Sequence, residues 1–442
     1  MATPFRNIVS ITLIILCVGM VSYPPHARSQ EDIDKKHTLE SSASFYTGMV
    51  DTITEDMAVE MTLERSVELE LLDNKVRVAS YRFDSSGRID NPELRLRELS
   101  SHYFNEHRDE LQVGLRWRLP ELGESAVAKQ EARVDILRSR VEALRYRYRL
   151  AADVRRTCAD VIMYDRLAEL DQRKMTLDSE RITLVEGMKD LGRRSVVDLT
   201  RARLEYAESK SDYTRTIQRR NQARMTLAGL VGISEEFALT VEDLPEVEQN
   251  PDLLIAVALE NRPEIELARQ RKVLAEKERT YESRKVIPWP TFVELSYHAL
   301  RDREDWDELR MGVNLPLFNW NRGNKKATGL AAKSGDLETD VVHREIEEEV
   351  RSAYSVYIGH LRNWKSYQQE IEPLMRDAAA LIHEDERHGA LPPDDILDME
   401  LAIIEARKEL VEKQCDLAYA LADLYLVMGI KSPEGLRGKG EE

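Results

Sequence analysis

Apolar and polar residues alternate with a period of two in two separate parts of the chain. This pattern is typical of strands with one apolar and one polar face, and it predicts strand pairs over residues 92–119 and 290–317. The alternation is weakest in the first strand, where Leu94 and Leu96 are followed on the same face by Glu98. The clearest apolar positions are Leu111, Val113, Leu115 and Trp117 in the first pair and Val293, Leu295, Tyr297, Met311 and Val313 in the second.

A long helix is predicted after each strand pair, because apolar residues recur there at intervals of three and four. The first runs over residues 125–191 without a proline, which gives about 67 residues and about 100 Å. The second runs over residues 324–388 and contains Pro373, where we expect a local kink. Each ends at a glycine, Gly192 or Gly389, after which a return helix of about 35 residues is predicted.

The second half of the chain repeats the first. When Gly192 is aligned with Gly389, no gap is needed for about forty residues, and Gly232 falls on Gly429. Self-similarity at this spacing predicts two copies of one structural unit. The predicted organisation is a signal peptide at 1–29, an N-terminal segment at 30–61, repeat 1 at 62–233, a connector at 234–251, repeat 2 at 252–430 and a C-terminal tail at 431–442.

The predicted fold class is mainly α with a small β part, a tandem repeat of long coiled-coil helical hairpins with four strands. A short opening helix and the return helix together match the length of one long helix, so they are expected to lie end to end beside it. Such a chain has little interior of its own. Its apolar stripes need neighbouring helices, which we expect from other copies of the chain.

The N-terminus has the features of an export signal. Arg6 precedes an apolar run at 8–20, which is shorter than the ~20 residues that a membrane-spanning helix needs. A small-x-small triplet with Ala27 and Ser29 follows. The chain has a formal net charge of −17 with 33% charged residues. This acidity argues against nucleic acid as a partner and favours cations or a basic protein surface.

No enzyme motif stands out in the sequence. His383 and His388 are five residues apart, whereas zinc-binding pairs on a helix are four apart, so a metalloprotease site is not predicted. Cys158 and Cys415 are expected at heights that differ by about 12 Å along the helices, too far for a disulfide, so two free thiols are predicted. We expect no enzymatic activity, no cofactor and no bound metal.

Three stretches of the chain resemble the TolC-like outer-membrane efflux proteins. They are the helix turn at 192–202 (GRRSVVDLTRA), the Asn-Arg-Pro-Glu segment at 261–264 and the strand exit at 315–324 (LPLFNWNRGN). The resemblance covers residues from about 62 to 430, in both repeats. The strand exit is similar to the heavy-metal branch of the family, whose members carry cobalt, zinc, cadmium or copper.

The resemblance implies an outer-membrane channel of a tripartite efflux system. It would conduct substrate, with heavy-metal cations as one class, from an inner-membrane pump and a periplasmic adaptor protein to the exterior. Three copies would contribute four strands each to a 12-stranded trimeric transmembrane β-barrel, with the apolar strand faces against lipid. The alternatives are a periplasmic adaptor and a soluble coiled-coil scaffold; the duplicated strand pairs argue against both.

The resemblance also implies roles for the hairpin tips. Asp395 and Asp398 match the acidic residues that narrow the periplasmic mouth in the family, and in a trimer they would form a ring of carboxylates. The alternative is that Asp395 only stabilises the N-terminus of the return helix. The first repeat departs from the pattern, with Asp198 followed by Arg201. The residues expected to dock the adaptor are Gly192, Arg193, Arg194, Ser195, Gly389 and Ala390.

Overall fold

A computed structural model of the chain describes residues 52–103, 106–233, 237–240, 244, 247, 250–300, 304–388 and 392–431. The predicted signal peptide, most of the N-terminal segment, and the tail after Lys431 lie outside these residues, as do Gly389 and Ala390. None of the described helices is long and apolar enough to cross a membrane.

The described residues form long helices and a small sheet, which confirms the predicted fold class. Two short strands pair in parallel, and the other four form one antiparallel sheet. The strands are β1 (Thr52–Ile53), β2 (Glu93–Tyr103), β3 (Glu106–Arg118), β4 (Ala238–Leu239), β5 (Trp289–Leu300) and β6 (Trp306–Asn314). The helices are α1 (Glu55–Arg65), α2 (Val67–Ser85), α3 (Glu124–Asp190), α4 (Val196–Val231), α5 (Pro251–Asn261), α6 (Glu264–Arg284), α7 (Arg322–His388) and α8 (Pro393–Met428).

The long helices α3 and α7 each contain 67 residues. Glycine ends α3: Gly192 has a φ of 70°, a conformation that a residue with a Cβ rarely adopts. The N–H of Arg193 then donates to the carbonyl oxygen of Met188 at 2.9 Å, as in a Schellman turn. Helix α7 continues through Pro373, where we expected a kink.

Each opening helix is two helices, where the sequence suggested one. Helix α1 begins at Glu55, before the predicted start of repeat 1 at residue 62. It is separated from α2 at Ser66, whose backbone is extended and whose hydroxyl accepts from the N–H of Leu69. Its counterpart is interrupted at Arg262, which is extended and precedes Pro263. A serine N-cap stabilises the start of a new helix, and a proline disfavours helical backbone at the residue before it.

The strands of the first pair extend almost to their turn. Pairing of β2 with β3 continues to His102 opposite His107 and Tyr103 opposite Glu106. Only residues 104 and 105 separate the two strands, and they lie outside the described residues. Backbone hydrogen bonds to a neighbouring strand extend β2 past Glu98, where its side-chain alternation ends.

The helices stand side by side in four columns. α2 and α4 contact successive parts of α3, and α6 and α8 lie between α3 and α7. The sheet has the corresponding order β2-β3-β5-β6. The array therefore has two lateral edges: β2 with α2 and α4 forms one, and β6 with α7 forms the other.

Arg155 joins three parts of the chain near the middle of α3. Its guanidinium donates to the carboxylates of Glu55 and Asp56, the latter at 2.6 Å, and to the carbonyl oxygen of Lys431 at 2.7 Å. The arginine side chain is only 7% exposed. The second repeat holds a looser copy of this ion pair, in which Arg351 lies 3.6 Å from Asp252 and both side chains are exposed.

We expect Arg155→Met to lower the free energy of unfolding by about 1–3 kcal/mol, because it leaves two carboxylates without their buried partner. Arg351→Met is the matched control, and its exposed pair should contribute less than about 0.5 kcal/mol. Urea unfolding of the purified protein in detergent, followed by far-ultraviolet circular dichroism, measures both. Equal losses in the two variants would contradict the assigned role of Arg155.

Candidate functional site

The four-stranded sheet is inverted with respect to water: the centre of its polar face is buried and its apolar face is open. Backbone pairing places Leu115 opposite Leu295, and Leu295 opposite Leu309, on one face. Leu295 is 49% exposed and Leu309 72% exposed. On the other face, Glu294 is 3% and Ser296 1% exposed. We call this four-stranded unit the inverted sheet.

Charged and aromatic partners contact most of the buried polar groups, although the hydroxyl of Ser296 has no hydrogen-bond partner within the described residues. Glu294 lies 3.2 Å from Arg310 and 3.7 Å from Arg95, so arginines from both outer strands neutralise one central carboxylate. His298 stacks on Trp306 with ring centroids 4.0 Å apart and lies 3.1 Å from Glu308. Buried ionisable groups are tolerated in proteins when they are paired in this way.

The strand register places all nine predicted lipid-facing residues on the apolar face. Their contact with lipid stays a prediction. Leu94, Leu96 and Leu309 share this face and are also exposed. For the two β2 leucines, the weak alternation of that strand gave little indication of which face they occupy. The nine residues are Leu111, Val113, Leu115, Trp117, Val293, Leu295, Tyr297, Met311 and Val313.

The first hairpin turn lies at the far end of α3 from the sheet. Ser195 caps α4: its hydroxyl accepts from the N–H of Asp198, and the Asp198 carboxylate accepts from the N–H of Ser195 at 2.9 Å. This backbone hydrogen bond, with that of the Ser195 hydroxyl, lowers the pKa of Asp198. Such a capping box fixes where the return helix begins.

Ion pairs join the first hairpin turn to the start of α8. Arg194 contacts Asp394, and Arg181 of α3 contacts Asp398. Asp395 is exposed, and its N–H donates to the carbonyl oxygen of Pro392 at 3.0 Å. The N-cap residue of α8 is Pro392, and no capping side chain is found within the described residues, so Asp395 contributes its negative charge to the first turn of this helix.

Two of these partners, Arg181 and Asp394, were not predicted from the sequence. Arg181 is one of many arginines on a long helix, and its partner Asp398 lies 217 residues away in the chain. Only packing of the two hairpins brings them together. The predicted gate residue Asp398 is therefore held by a neighbouring helix, whereas Asp395 is free of ion pairs within the described residues.

Further polar contacts connect α3 with α8 towards the middle of the array. Lys174 lies 2.5 Å from Glu405, and Lys408 lies 2.9 Å from the buried carboxylate of Asp171. Arg173 adds a contact to Glu400 at 3.1 Å. The two hairpins are therefore joined by charges along their length, in addition to apolar packing around Leu177.

No metal centre is found within the described residues: no three His, Cys, Asp or Glu side chains stand close enough to share an ion. Cys158 and Cys415 are both free and buried, which confirms the prediction of two free thiols. Burial raises the pKa of both thiols, that of Cys415 to about 12. Neither is in a form that reacts readily.

Comparison with known proteins identifies the fold. No model of a known family matches the chain, and a search of curated proteins finds no significant match. Among solved structures, CusC, studied for conformational changes that accompany folding and transmembrane channel formation, matches with a TM-score of 0.70 and 16% identity, covering 89% of this chain and 96% of CusC.

Two further structures agree. VceC, an outer membrane protein of Vibrio cholerae, matches with a TM-score of 0.66 and 15% identity over 85% of this chain and 96% of its own. The CmeC outer membrane channel of Campylobacter jejuni matches with a TM-score of 0.66 and 13% identity over 87% of this chain and 88% of its own. The chain therefore has the fold of these outer-membrane proteins.

Proposed function

We propose that the protein is the outer-membrane channel of a tripartite efflux system and works as a homotrimer. The inverted sheet carries this proposal. A sheet in a water-soluble protein buries its apolar face, whereas lipid favours the apolar face outside and leaves the polar face to line an aqueous interior. Exposed Leu295 and buried Glu294, adjacent on one strand, fit the lipid environment.

Closure of the sheet requires other copies. Strands β2 and β6 lie at its edges, and a bilayer does not tolerate unpaired backbone groups at an open edge. Three copies with four strands each would close a twelve-stranded barrel. The strands contain between 9 and 13 residues, in keeping with the roughly 9–11 that a tilted transmembrane strand needs.

The helices then extend the channel into the periplasm by about 100 Å, the length of α3. The hairpin tips at Gly192 and near Pro392 lie at the end away from the sheet, where a periplasmic adaptor would dock. The protein supplies a passive aqueous path and no chemistry. Energy for transport would come from the inner-membrane pump.

We further propose that the ion pairs Arg194–Asp394 and Arg181–Asp398 hold the two hairpins together at a closed mouth. Docking of the adaptor would separate them and let the tips move apart. Asp395, exposed beside them, would contribute to a ring of carboxylates that attracts cations.

Heavy-metal cations are the substrate class we propose to test first, because residues 315–324 resemble the heavy-metal branch of the channel family. Deletion of the gene should lower tolerance to cobalt, zinc, cadmium or copper in growth assays. A strain that lacks the partner pump should show the same metal sensitivity as the strain that lacks this channel. Sensitivity to drugs alone would exclude metals and leave the channel function in place.

Membrane fractionation tests the channel itself. The protein should remain in the outer-membrane fraction after a sodium carbonate wash and run as a heat-modifiable trimer in detergent. Purified trimer should conduct ions across a planar lipid bilayer. A carbonate-soluble monomer would refute the proposal in favour of an adaptor or scaffold.

A further inference from the structure

Along the helices that precede the hairpin turns, equivalent residues of the two repeats are separated by 196 positions. The ion pair of Arg155 with Asp56 recurs as the pair of Arg351 with Asp252, and each residue of the second pair lies 196 positions after its counterpart. The N-cap residues Thr54 and Asn250 are separated by 196 positions as well. From the hairpin turns onward the separation is 197, as between the left-handed caps Gly232 and Gly429.

Repeat 1 contacts repeat 2 within the chain, where α3 packs against α6. Val134 and Val141 of α3 form one apolar cluster with Leu267 and Leu274 of α6. Val134 is 2% exposed and Val141 7%. This buried junction provides a template for the two lateral edges of the array, where the same positions recur.

The equivalent positions at the edges are apolar but uncovered. Residues 196 positions after the valines are Leu330 and Leu337 of α7, which are 66% and 64% exposed. Residues 196 positions before the leucines are Leu71 and Val78 of α2, which are 59% and 49% exposed. Each edge thus carries the counterpart of one half of the buried junction.

We propose that a second copy of this chain docks its β2, α2 and α4 against β6 and α7 of the first, in the register set by the junction inside the chain. The proposal rests on the proposed function in requiring several copies, but the register follows from the repeat alone. Leu330 and Leu337 would then pack against Leu71 and Val78 of the next copy.

The strands define the register to a single residue. At a separation of 196, Leu115 corresponds to Met311. Leu115 pairs with Leu94 and Met311 pairs with Val293, so Leu94 corresponds to Val293 and Leu96 to Leu295. These last two are separated by 199 positions, because the paired residues of the second hairpin are three positions closer in sequence. Leu115 and Leu295 face each other within the chain. Met311 should therefore lie opposite Leu96 of the next copy.

The same equivalence predicts an ion pair between copies near the tips. Within the chain, Arg181 of α3 contacts Asp398 of α8. Arg181 corresponds to Asp377 of α7, and Asp398 corresponds to Arg201 of α4. The two charges are exchanged between the helices, so the pair still has opposite signs. Both side chains are exposed, and within the described residues neither forms an ion pair.

Disulfide cross-linking tests the strand register. In a Cys158→Ala, Cys415→Ala background, Leu96→Cys with Met311→Cys should give at least tenfold more intermolecular product on mild oxidation than Leu96→Cys with Leu309→Cys, which is shifted by two residues. Opposed residues bring their Cβ atoms within disulfide range, and diagonal ones do not. Leu115→Cys with Leu295→Cys is the positive control and should link within one chain.

The outcomes separate the two proposals. A trimer in which the shifted pair links better, or in which the matched pair does not link while the control does, overturns the register and leaves the channel in place. A protein that stays monomeric in detergent and in membranes overturns both.

Charge exchange tests the tip contact independently of the strands. Arg201→Asp and Asp377→Arg should each lower the temperature at which the trimer dissociates on a semi-native gel. The double variant should return it to the wild-type value, whereas Arg201→Asp with Asp377→Ala should not. Simple addition of the two single effects would show that Arg201 and Asp377 do not meet.

Discussion

Leu295→Lys should remove the heat-modifiable trimer from the outer membrane. Leu295 lies in the middle of the apolar face of the inverted sheet, with Leu115 and Leu309 opposite it on the neighbouring strands. A lysine at the bilayer centre of a barrel costs about 2–4 kcal/mol. The cost recurs in each copy, so at least a tenfold loss of assembled protein is expected at equal expression, measured by immunoblot of unheated outer-membrane fractions.

Two controls make this result specific to lipid contact. Leu295→Phe keeps the side chain apolar and should assemble normally. Arg97→Gln changes a charge on the opposite, polar face of the edge strand β2 and should also assemble. Normal assembly of Leu295→Lys would contradict lipid contact at this face, and equal loss in Arg97→Gln would show that the sheet is merely sensitive to substitution.

Removal of both tip ion pairs should open the channel at rest. Arg181→Ala with Arg194→Ala leaves Asp398 and Asp394 without their partners across the two hairpins. Each exposed pair contributes about 0.5 kcal/mol, so six pairs in a trimer amount to about 3 kcal/mol, or about a hundredfold change in the ratio of open to closed channels. Conductance of single trimers in planar bilayers should rise accordingly.

Arg173→Ala is the matched control, since its contact with Glu400 lies farther from the tips. It should leave the conductance near the wild-type value. If the double variant conducts no better than this control, the two ion pairs do not hold the mouth closed.

Asp395 can be separated from the ion pairs. Asp395→Asn should weaken the block of current by multivalent cations without changing the resting conductance, because Asp395 forms no ion pair within the described residues. Asp398→Asn should change both properties, since it also releases Arg181. Unchanged block in Asp395→Asn would remove this residue from the proposed carboxylate ring.

The features that the sequence predicted best are those with a local cause. The length of α3 follows from residue periodicity and from Gly192, which ends the helix where a left-handed residue is needed. The strands of the second repeat follow from strict alternation. Both features depend on residues within a few positions of each other, and the sequence displays those directly.

The features that were missed depend on distant parts of the chain. β2 extends past Glu98 because β3 supplies backbone partners, which side-chain alternation does not report. Arg181 and Asp394 meet their partners only because two hairpins pack side by side. The break at Ser66 was missed for a different reason: serine occurs throughout the chain, and only its extended backbone makes this one a cap.

The open edges and outward-facing leucines have a consequence for how the protein matures. A lone copy exposes apolar side chains to water and would leave unpaired strand edges in lipid. Its folded state should therefore gain most of its stability on association with other copies, and dilution should slow or prevent folding. If the protein is the proposed channel, an isolated copy needs protection from aggregation between export and insertion. The yield of folded protein should then rise more than proportionally with gene dose.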